Sequence, residues 1–159
     1  MRTYVAAGAS FLLAVLWFDL MFDVEAWSVG DRTLPREVIA SISTYYRRVT
    51  IEANPMGQLV AIVMLATLIA IIAQIATKAA PRWIGWVSLV LASSAMALAL
   101  VRTVPNAVKL GRGLDDDIAS SYLIRLIFGD HLYAIAAIAA VVILQLAVSR
   151  RAGRSTISD

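Results

Sequence analysis

The stretch "MGQLVAIVMLATLIAIIAQIAT", residues 56–77, decides the class of fold, because it contains no charged side chain over its whole length. The hydrocarbon core of a bilayer is about 30 Å thick, which a helix of roughly 20 apolar residues can cross. In lipid the backbone N–H and C=O groups must bond within the segment, and a helix achieves this. The stretch therefore predicts a membrane-spanning helix.

Three further apolar runs are long enough to cross a bilayer. They lie at about residues 4–22, 83–104 and 131–148, and only Asp19 and Arg102 interrupt them with charge. The short link "KAAPR" joins the second and third runs as a tight antiparallel hairpin. We therefore predict one all-α domain, residues 1–159, an integral membrane bundle of four antiparallel helices.

The composition supports a membrane protein over other classes. The chain is 60% hydrophobic and 16% charged, whereas soluble domains are about 45–50% apolar and about 25% charged. Its basic residues lie at the ends of apolar runs instead of forming a stripe, so we do not expect nucleic acid as a partner. The absence of cysteine excludes disulfides, thiolate metal sites and cysteine nucleophiles.

The first apolar run has a second interpretation as a cleavable signal peptide. A basic residue, Arg2, precedes a short apolar core, and "VEA" at 24–26 could be a cleavage site. The segment "WFDLMFD", residues 17–23, is bulky and acidic where a signal peptide has small neutral residues. We therefore predict that the first helix is retained.

An additional amphipathic helix is predicted in the first long connection, at about residues 35–52. Its apolar side chains recur at helical spacing and form one stripe, made of Val38, Ile42, Tyr45 and Val49. A helix of this kind can lie on the membrane surface or cap the bundle.

Small and amide side chains are predicted to hold the spans together. The segments "LASSAMALAL", residues 91–100, and "AIAAIAA", residues 134–140, place alanine and serine at spacings that let helices approach closely in lipid. Gln74 and Gln145 lie near one end of the bundle and are predicted to hydrogen-bond across helices.

Polar and ionisable side chains collect at the other end of the predicted bundle. The group consists of Asp19, Asp23, Arg102, Asn106, Asp130 and His131. Ionisable residues at membrane depth are costly, so they usually face the bundle interior and pair with one another. We predict that Asp19 and Arg102 form a buried ion pair. Asn106 and His131 are predicted to line the same cavity.

This polar group could perform acid–base chemistry. His131, the only histidine, would act as the acid or base, because histidine titrates near neutrality. Asn106 and Arg102 would stabilise developing oxyanion charge, and Asp130 or Asp19 would orient the histidine. No organic cofactor can be assigned from the sequence.

Weak metal binding is the alternative chemistry for this group, since it offers oxygen ligands with one nitrogen. The candidate ligands are Asp19, Asp23, Asp130 and His131. The Glu-x-x-His repeats of di-iron bundles are absent from the sequence, and we do not predict a dedicated metal site.

The segments "RTVPNAVKLGRG", residues 102–113, and "GDHLYAIAAIAAV", residues 129–141, resemble the second half of the anthrone oxygenase-like membrane family. Val104, Pro105 and Asn106 match its element closing the third span, and His131 matches the histidine opening the fourth. Asp130 stands where the family often has asparagine, and the family's tryptophans before this histidine are missing. The resemblance implies four spans and oxygenation of polycyclic phenols without a bound organic cofactor.

Two functions of different classes follow. One is an oxidoreductase or oxygenase-like enzyme acting on a hydrophobic aromatic or quinone-like molecule near one membrane face. The other is a non-catalytic membrane subunit or scaffold; transport and ligand binding also remain open. The expected partners are the bilayer, a hydrophobic small molecule, and a membrane protein or second copy. We expect a multi-pass protein of the inner cell membrane with cytoplasmic termini, because the 78–82 loop and the basic tail are nearly free of acids.

Overall fold

The computed structural model describes residues 2–28, 33–52 and 54–154, and every regular element in these ranges is helical. The α-helices are α1 (Arg2–Asp23), α2 (Glu25–Ser28), α3 (Arg36–Arg47), α4 (Asn54–Ala76), α5 (Arg82–Leu98), α6 (Val104–Arg112) and α7 (Asp117–Arg154). Two π-helical turns follow α3 and α5 directly, at Arg48–Glu52 and Ala99–Thr103.

Four helical segments are long and apolar enough to cross a membrane. They are Arg2–Asp23, Pro55–Ala76, Arg82–Arg112 and Asp117–Ala147. The all-α prediction is confirmed, and these four candidate spans support a multi-pass membrane protein. The last two segments are longer than the apolar runs that identify them in the sequence.

The third segment continues beyond residue 104 because a π-helical turn precedes Pro105. A proline ring clashes with the carbonyl group four residues earlier, which usually kinks or ends a helix. Here that carbonyl belongs to Val101, inside the wider turn Ala99–Thr103, and the helix resumes as α6. It ends at Gly113, whose φ of 86° lies in the left-handed region that glycine tolerates.

The fourth segment begins at Asp117 instead of residue 131. A carboxyl oxygen of Asp116 accepts a hydrogen bond from the backbone N–H of Ile118 at 2.8 Å, which stabilises the helix start. The helix then runs through Gly129 without a break. Asp130 and His131 therefore lie inside a long helix and not at its first turn.

The four long helices share one apolar core and approach closely at glycines. Buried members of the core include Val5, Ile71 and Ile138. An added Cβ on Gly8 of α1 would overlap the hydroxyl oxygen of Thr67 in α4. Such contact requires a residue without a side chain, as is common between helices in lipid.

The amphipathic helix α3 packs over one end of the bundle. Its buried side chains, Ile39, Ile42 and Tyr46, belong to a second apolar cluster shared with α6 and α7. The Arg47 Nε–H donates to the carbonyl oxygen of Gly111 at 3.0 Å, which ties α3 to α6. This packing places two consecutive tyrosines of α3 beside the polar end of α1.

The opposite end contains a buried amide network. Gln74 donates to Gln145 at 3.0 Å, and Gln145 donates to the hydroxyl of Ser88 at 3.1 Å. The predicted bond between Gln74 and Gln145 is therefore confirmed.

Candidate functional site

The centre of the site is a hydrogen bond between His131 of α7 and Asp23 at the end of α1. The His131 Nδ1 atom lies 2.8 Å from a carboxyl oxygen of Asp23, and both residues are buried. The Tyr46 hydroxyl lies 2.9 and 2.8 Å from the two oxygens of Asp23, so its single hydrogen is shared between them. A carboxylate can accept from both neighbours, and the tautomer that carries its hydrogen on Nδ1 lets His131 donate to Asp23 while Nε2 faces away from this contact.

A second aspartate lies one helical turn earlier on the same face of α1. Asp19 accepts a hydrogen bond from the Tyr45 hydroxyl, and one of its oxygens is 4.0 Å from Nε2 of His131. The ring of Tyr45 stacks on Phe22 with ring centroids 4.0 Å apart. Two Asp–Tyr pairs therefore flank the two nitrogens of one histidine.

The two tyrosines of α3 stay protonated in this environment. Burial raises the pKa of Tyr46 well above its ordinary value, and the nearby charge of Asp23 raises it further. Burial also raises the pKa of Tyr45, with an added contribution from Asp19. Both phenols therefore remain hydrogen-bond donors to the carboxylates of α1.

A separate ion pair joins Arg102 to Asp130. The guanidinium of Arg102 donates to both carboxyl oxygens, through Nε at 3.1 Å and through a second nitrogen. The hydroxyl of Thr103 donates to the same carboxylate at 2.9 Å. Consecutive residues of an α-helix point about 100° apart. Arg102 and Thr103 both reach Asp130 because they lie in the π-helical turn Ala99–Thr103.

The predicted ion pair between Asp19 and Arg102 is wrong. Arg102 binds Asp130, and Asp19 lies beside Tyr45 and His131. The reason is that Asp130 lies within α7, where its carboxylate is 1% exposed and faces the π-helical turn. The docking of α3 meanwhile supplies a hydroxyl donor to Asp19.

An apolar cavity of about 160 Å³ extends from the site into the bundle. Its polar end is formed by Asp19, Thr103, Asp130 and His131. Its apolar wall includes Leu12, Leu16, Met64, Met96, Ala134 and Ile138, from four helices. An engineered apolar cavity of about 150 Å³ binds benzene, so the volume suits one aromatic ring.

Two predicted site residues do not line this cavity. Arg102 and Asn106 are absent from its wall, so the expectation that Asn106 shares a cavity with His131 is wrong. Asn106 lies on α6, after the helix has turned past Pro105. The cavity wall therefore brings together His131, Asp19 and Asp130, and it includes neither Arg102 nor Asn106.

Within the described residues, the candidate ligands considered for a metal are not assembled around one point. In the described part of the chain, no three His, Asp or Glu side chains are grouped so that they could hold a metal ion. The oxygens of Asp23 accept bonds from Tyr46 and His131, and those of Asp130 accept bonds from Arg102 and Thr103.

Sequence reasoning missed the roles of Tyr45, Tyr46 and Thr103, and it gave Asp23 no role in orienting the histidine. The adjacent tyrosines are visible in the amphipathic helix, and the two aspartates are visibly one turn apart. Nothing in the sequence shows that α3 folds back onto α1.

No protein-family model matches the chain, and neither the curated proteins nor the solved structures contain a match. The resemblance to the anthrone oxygenase-like family therefore stays a prediction that rests on its short motifs.

Proposed function

We propose that the chain is a multi-pass protein of the cell membrane whose four spans run antiparallel, with both termini in the cytoplasm. Contacts of α7 with α5 and with the π-helical turn that follows α5 support the opposite directions of these helices. Ser88 bonds to Gln145, whereas Arg102, later in the chain, bonds to the earlier residue Asp130. Cysteine labelling from each side of the membrane tests the arrangement, and termini on opposite sides would contradict it.

We further propose that the cavity binds a lipophilic aromatic or quinone-like molecule and that His131 exchanges a proton with it. The observation that carries this proposal is the position of His131 at the polar end of an otherwise apolar cavity. Its Nδ1 is engaged by a fully buried carboxylate, which leaves Nε2 for a ligand. A base oriented by a carboxylate is the arrangement that general acid–base catalysis uses.

The proposed chemical step is the removal of a proton from a ring hydroxyl. The ligand O–H bond breaks, an N–H bond forms at Nε2, and the electron pair stays on the oxygen. The resulting imidazolium is stabilised by the carboxylates of Asp23 and Asp19. The family resemblance implies dioxygen as the oxidant of the anion, without an organic cofactor.

The cavity volume favours a single aromatic ring over a fused polycyclic system. A space of about 160 Å³ is close to one that accepts benzene. We therefore propose a single-ring phenol or hydroquinol, with any apolar tail extending among the helices or into lipid.

A binding experiment tests this function. The protein, purified with its native lipids, is titrated calorimetrically with duroquinol and with duroquinone, two lipophilic single-ring probes. Ala134→Leu fills the cavity wall and is expected to abolish binding, whereas Ala136→Leu, on the exposed face of the same helix, is the matched control. Equal binding by both variants would contradict the proposed cavity.

The competing function is a non-catalytic membrane subunit. It predicts that wild-type protein binds neither probe and co-purifies in constant proportion with another membrane protein. Mass spectrometry of the native preparation, covering both lipids and proteins, separates the two functions.

A further inference from the structure

The two Asp–Tyr pairs beside His131 differ in burial. The carboxylate of Asp23 is 0% exposed, and its partner Tyr46 is also buried. The side chain of Asp19 is 23% exposed, and Tyr45 is half-buried. Of the two pairs, only Asp19 and Tyr45 therefore keep part of their side-chain surface accessible, near the end of the first candidate span.

The buried pair is suited to holding the ring of His131. Asp23 accepts from Nδ1, and the Tyr46 hydroxyl engages both of its oxygens. A proton placed on this carboxylate would have no direct path to water, since every partner of Asp23 is buried. Its contacts fix the tautomer and orientation of the imidazole.

The more exposed pair faces the other ring nitrogen. The oxygen of Asp19 is 4.0 Å from Nε2, which is too long for a direct hydrogen bond. A single oxygen atom can bridge the gap, because two hydrogen bonds of about 2.8 Å each easily span this separation. A ligand hydroxyl or a water molecule at this point would contact both the base and the carboxylate.

The third carboxylate near the histidine does not compete for the proton. Asp130 directly precedes His131 on α7 and is paired with the positive charge of Arg102 and the hydroxyl of Thr103. The phenol of Tyr45 stays protonated because burial raises its pKa. Asp19 is therefore the carboxylate placed to accept a proton from Nε2 and pass it outward.

We propose that the two pairs have separate roles, in which Asp19 carries the proton between Nε2 of His131 and water while Asp23 fixes the ring. The proton leaves Nε2 of the imidazolium, binds a carboxyl oxygen of Asp19 through the bridging oxygen, and is released to water without electron transfer. Tyr45 and Tyr46 are positioning residues for the two carboxylates. This inference rests on the acid–base role proposed for His131.

The single histidine of the chain permits a direct test without any ligand. Protein with isotope-labelled histidine and no polyhistidine tag is studied by NMR, which reports the ring tautomer and the rate of proton exchange with water. Asp19→Asn is expected to slow exchange by about a hundredfold, the lower end of what a positioned proton-transfer group contributes. The tautomer should be unchanged.

Matched variants separate this role from a general loss of structure. Tyr45→Phe should slow exchange in the same direction, and Asp19→Glu should restore part of the rate. Asp23→Asn and Tyr46→Phe should change the tautomer of His131 or increase the mobility of its ring. They should slow exchange less than Asp19→Asn does. Tyr45→Phe retains the carboxylate of Asp19, so its exchange rate still tests the proposal if Asp19→Asn does not fold.

The proposal is overturned if Asp19→Asn and Tyr45→Phe exchange at the wild-type rate, or if Tyr46→Phe slows exchange as much as they do. Because the measurement uses protein without ligand, its outcome is independent of probe binding. Failure of duroquinol to bind would contradict the proposed function and leave the exchange result unaffected.

Discussion

His131 and Asp23 connect the fourth apolar helix to the end of the first through a 2.8 Å contact between residues 108 positions apart in the sequence. The bond is enclosed by α3, whose Tyr46 reaches the same carboxylate. Because this contact joins three helices, it contributes to the stability of the bundle as well as to the geometry of the site. Its removal should therefore be measurable without knowledge of a ligand.

Asp23→Ala should destabilise the protein more than Asp19→Ala. Asp23 is fully buried and bonded to two side chains, so its removal leaves the Tyr46 hydroxyl and the His131 ring nitrogen buried without this partner, at a typical cost of about 1–3 kcal/mol for each group. The Asp19 side chain is partly exposed, so water can replace some of its contacts. Reversible unfolding in mixed detergent micelles gives both free energies. A loss for Asp19→Ala that equals or exceeds that for Asp23→Ala would disagree with this assignment.

The two partners of the Arg102–Asp130 pair should respond unequally to removal. Arg102→Ala leaves a carboxylate that is 1% exposed without its counter-charge. Asp130→Ala leaves a half-exposed arginine, whose long side chain can extend toward the membrane surface. We expect Arg102→Ala to be the more destabilising change and the double variant to recover part of the loss. Thermal unfolding of the three variants checks the order, and the reverse order would refute it.

Much of the architecture follows from the sequence, but the partners within the polar group do not. The uncharged run at 56–77 suffices to predict a helix. Gln74 and Gln145 lie near the same end of the predicted bundle, which suffices to predict their bond across helices. The clustering of charge at one end also follows from where the apolar runs stop. The partner of Arg102 depends on a π-helical turn that hydrophobic periodicity does not reveal.

The role of the tyrosines required tertiary structure for a different reason. The apolar stripe correctly predicts an amphipathic helix, but it does not say whether that helix covers the membrane surface or the bundle. Docking against α6 and α7 directs Tyr45 and Tyr46 to α1. Long-range packing of this kind is set by shape and burial and not by local sequence pattern.

Tyr45 and Tyr46 should not contribute to tyrosinate absorbance at about pH 11, one unit above the ordinary tyrosine pKa of about 10. Burial raises the pKa of both phenols, so the native state keeps these protons while the unfolded chain releases them. The contribution of these two protonated phenols to the free energy of unfolding is complete below about pH 10 and declines as the pH rises further. The Tyr45→Phe/Tyr46→Phe variant should match wild type in absorbance at this pH and lose less stability above it. A smaller tyrosinate signal in the variant would contradict the prediction.

Gly111→Ala should displace α3 and disturb the site from a distance. An added Cβ at Gly111 would lie 2.8 Å from the backbone nitrogen of Arg47, and backbone atoms cannot yield as a flexible side chain can. Overpacking of this kind typically costs about 1–3 kcal/mol. The shift should also weaken the Tyr46 bond to Asp23, because Tyr46 directly precedes Arg47.

Gly129→Ala is the matched control for this change. It lies within α7 next to Asp130, and an added Cβ there meets nothing within 4 Å. Alanine is favoured over glycine inside a helix by about 0.5–1 kcal/mol, so this variant should be as stable as wild type or more so. Unfolding measurements and the NMR signal of His131 check both variants together. If Gly111→Ala left the His131 signal and the stability unchanged, α3 would not be positioned by its contact with α6, and the two tyrosines would need another explanation for their placement.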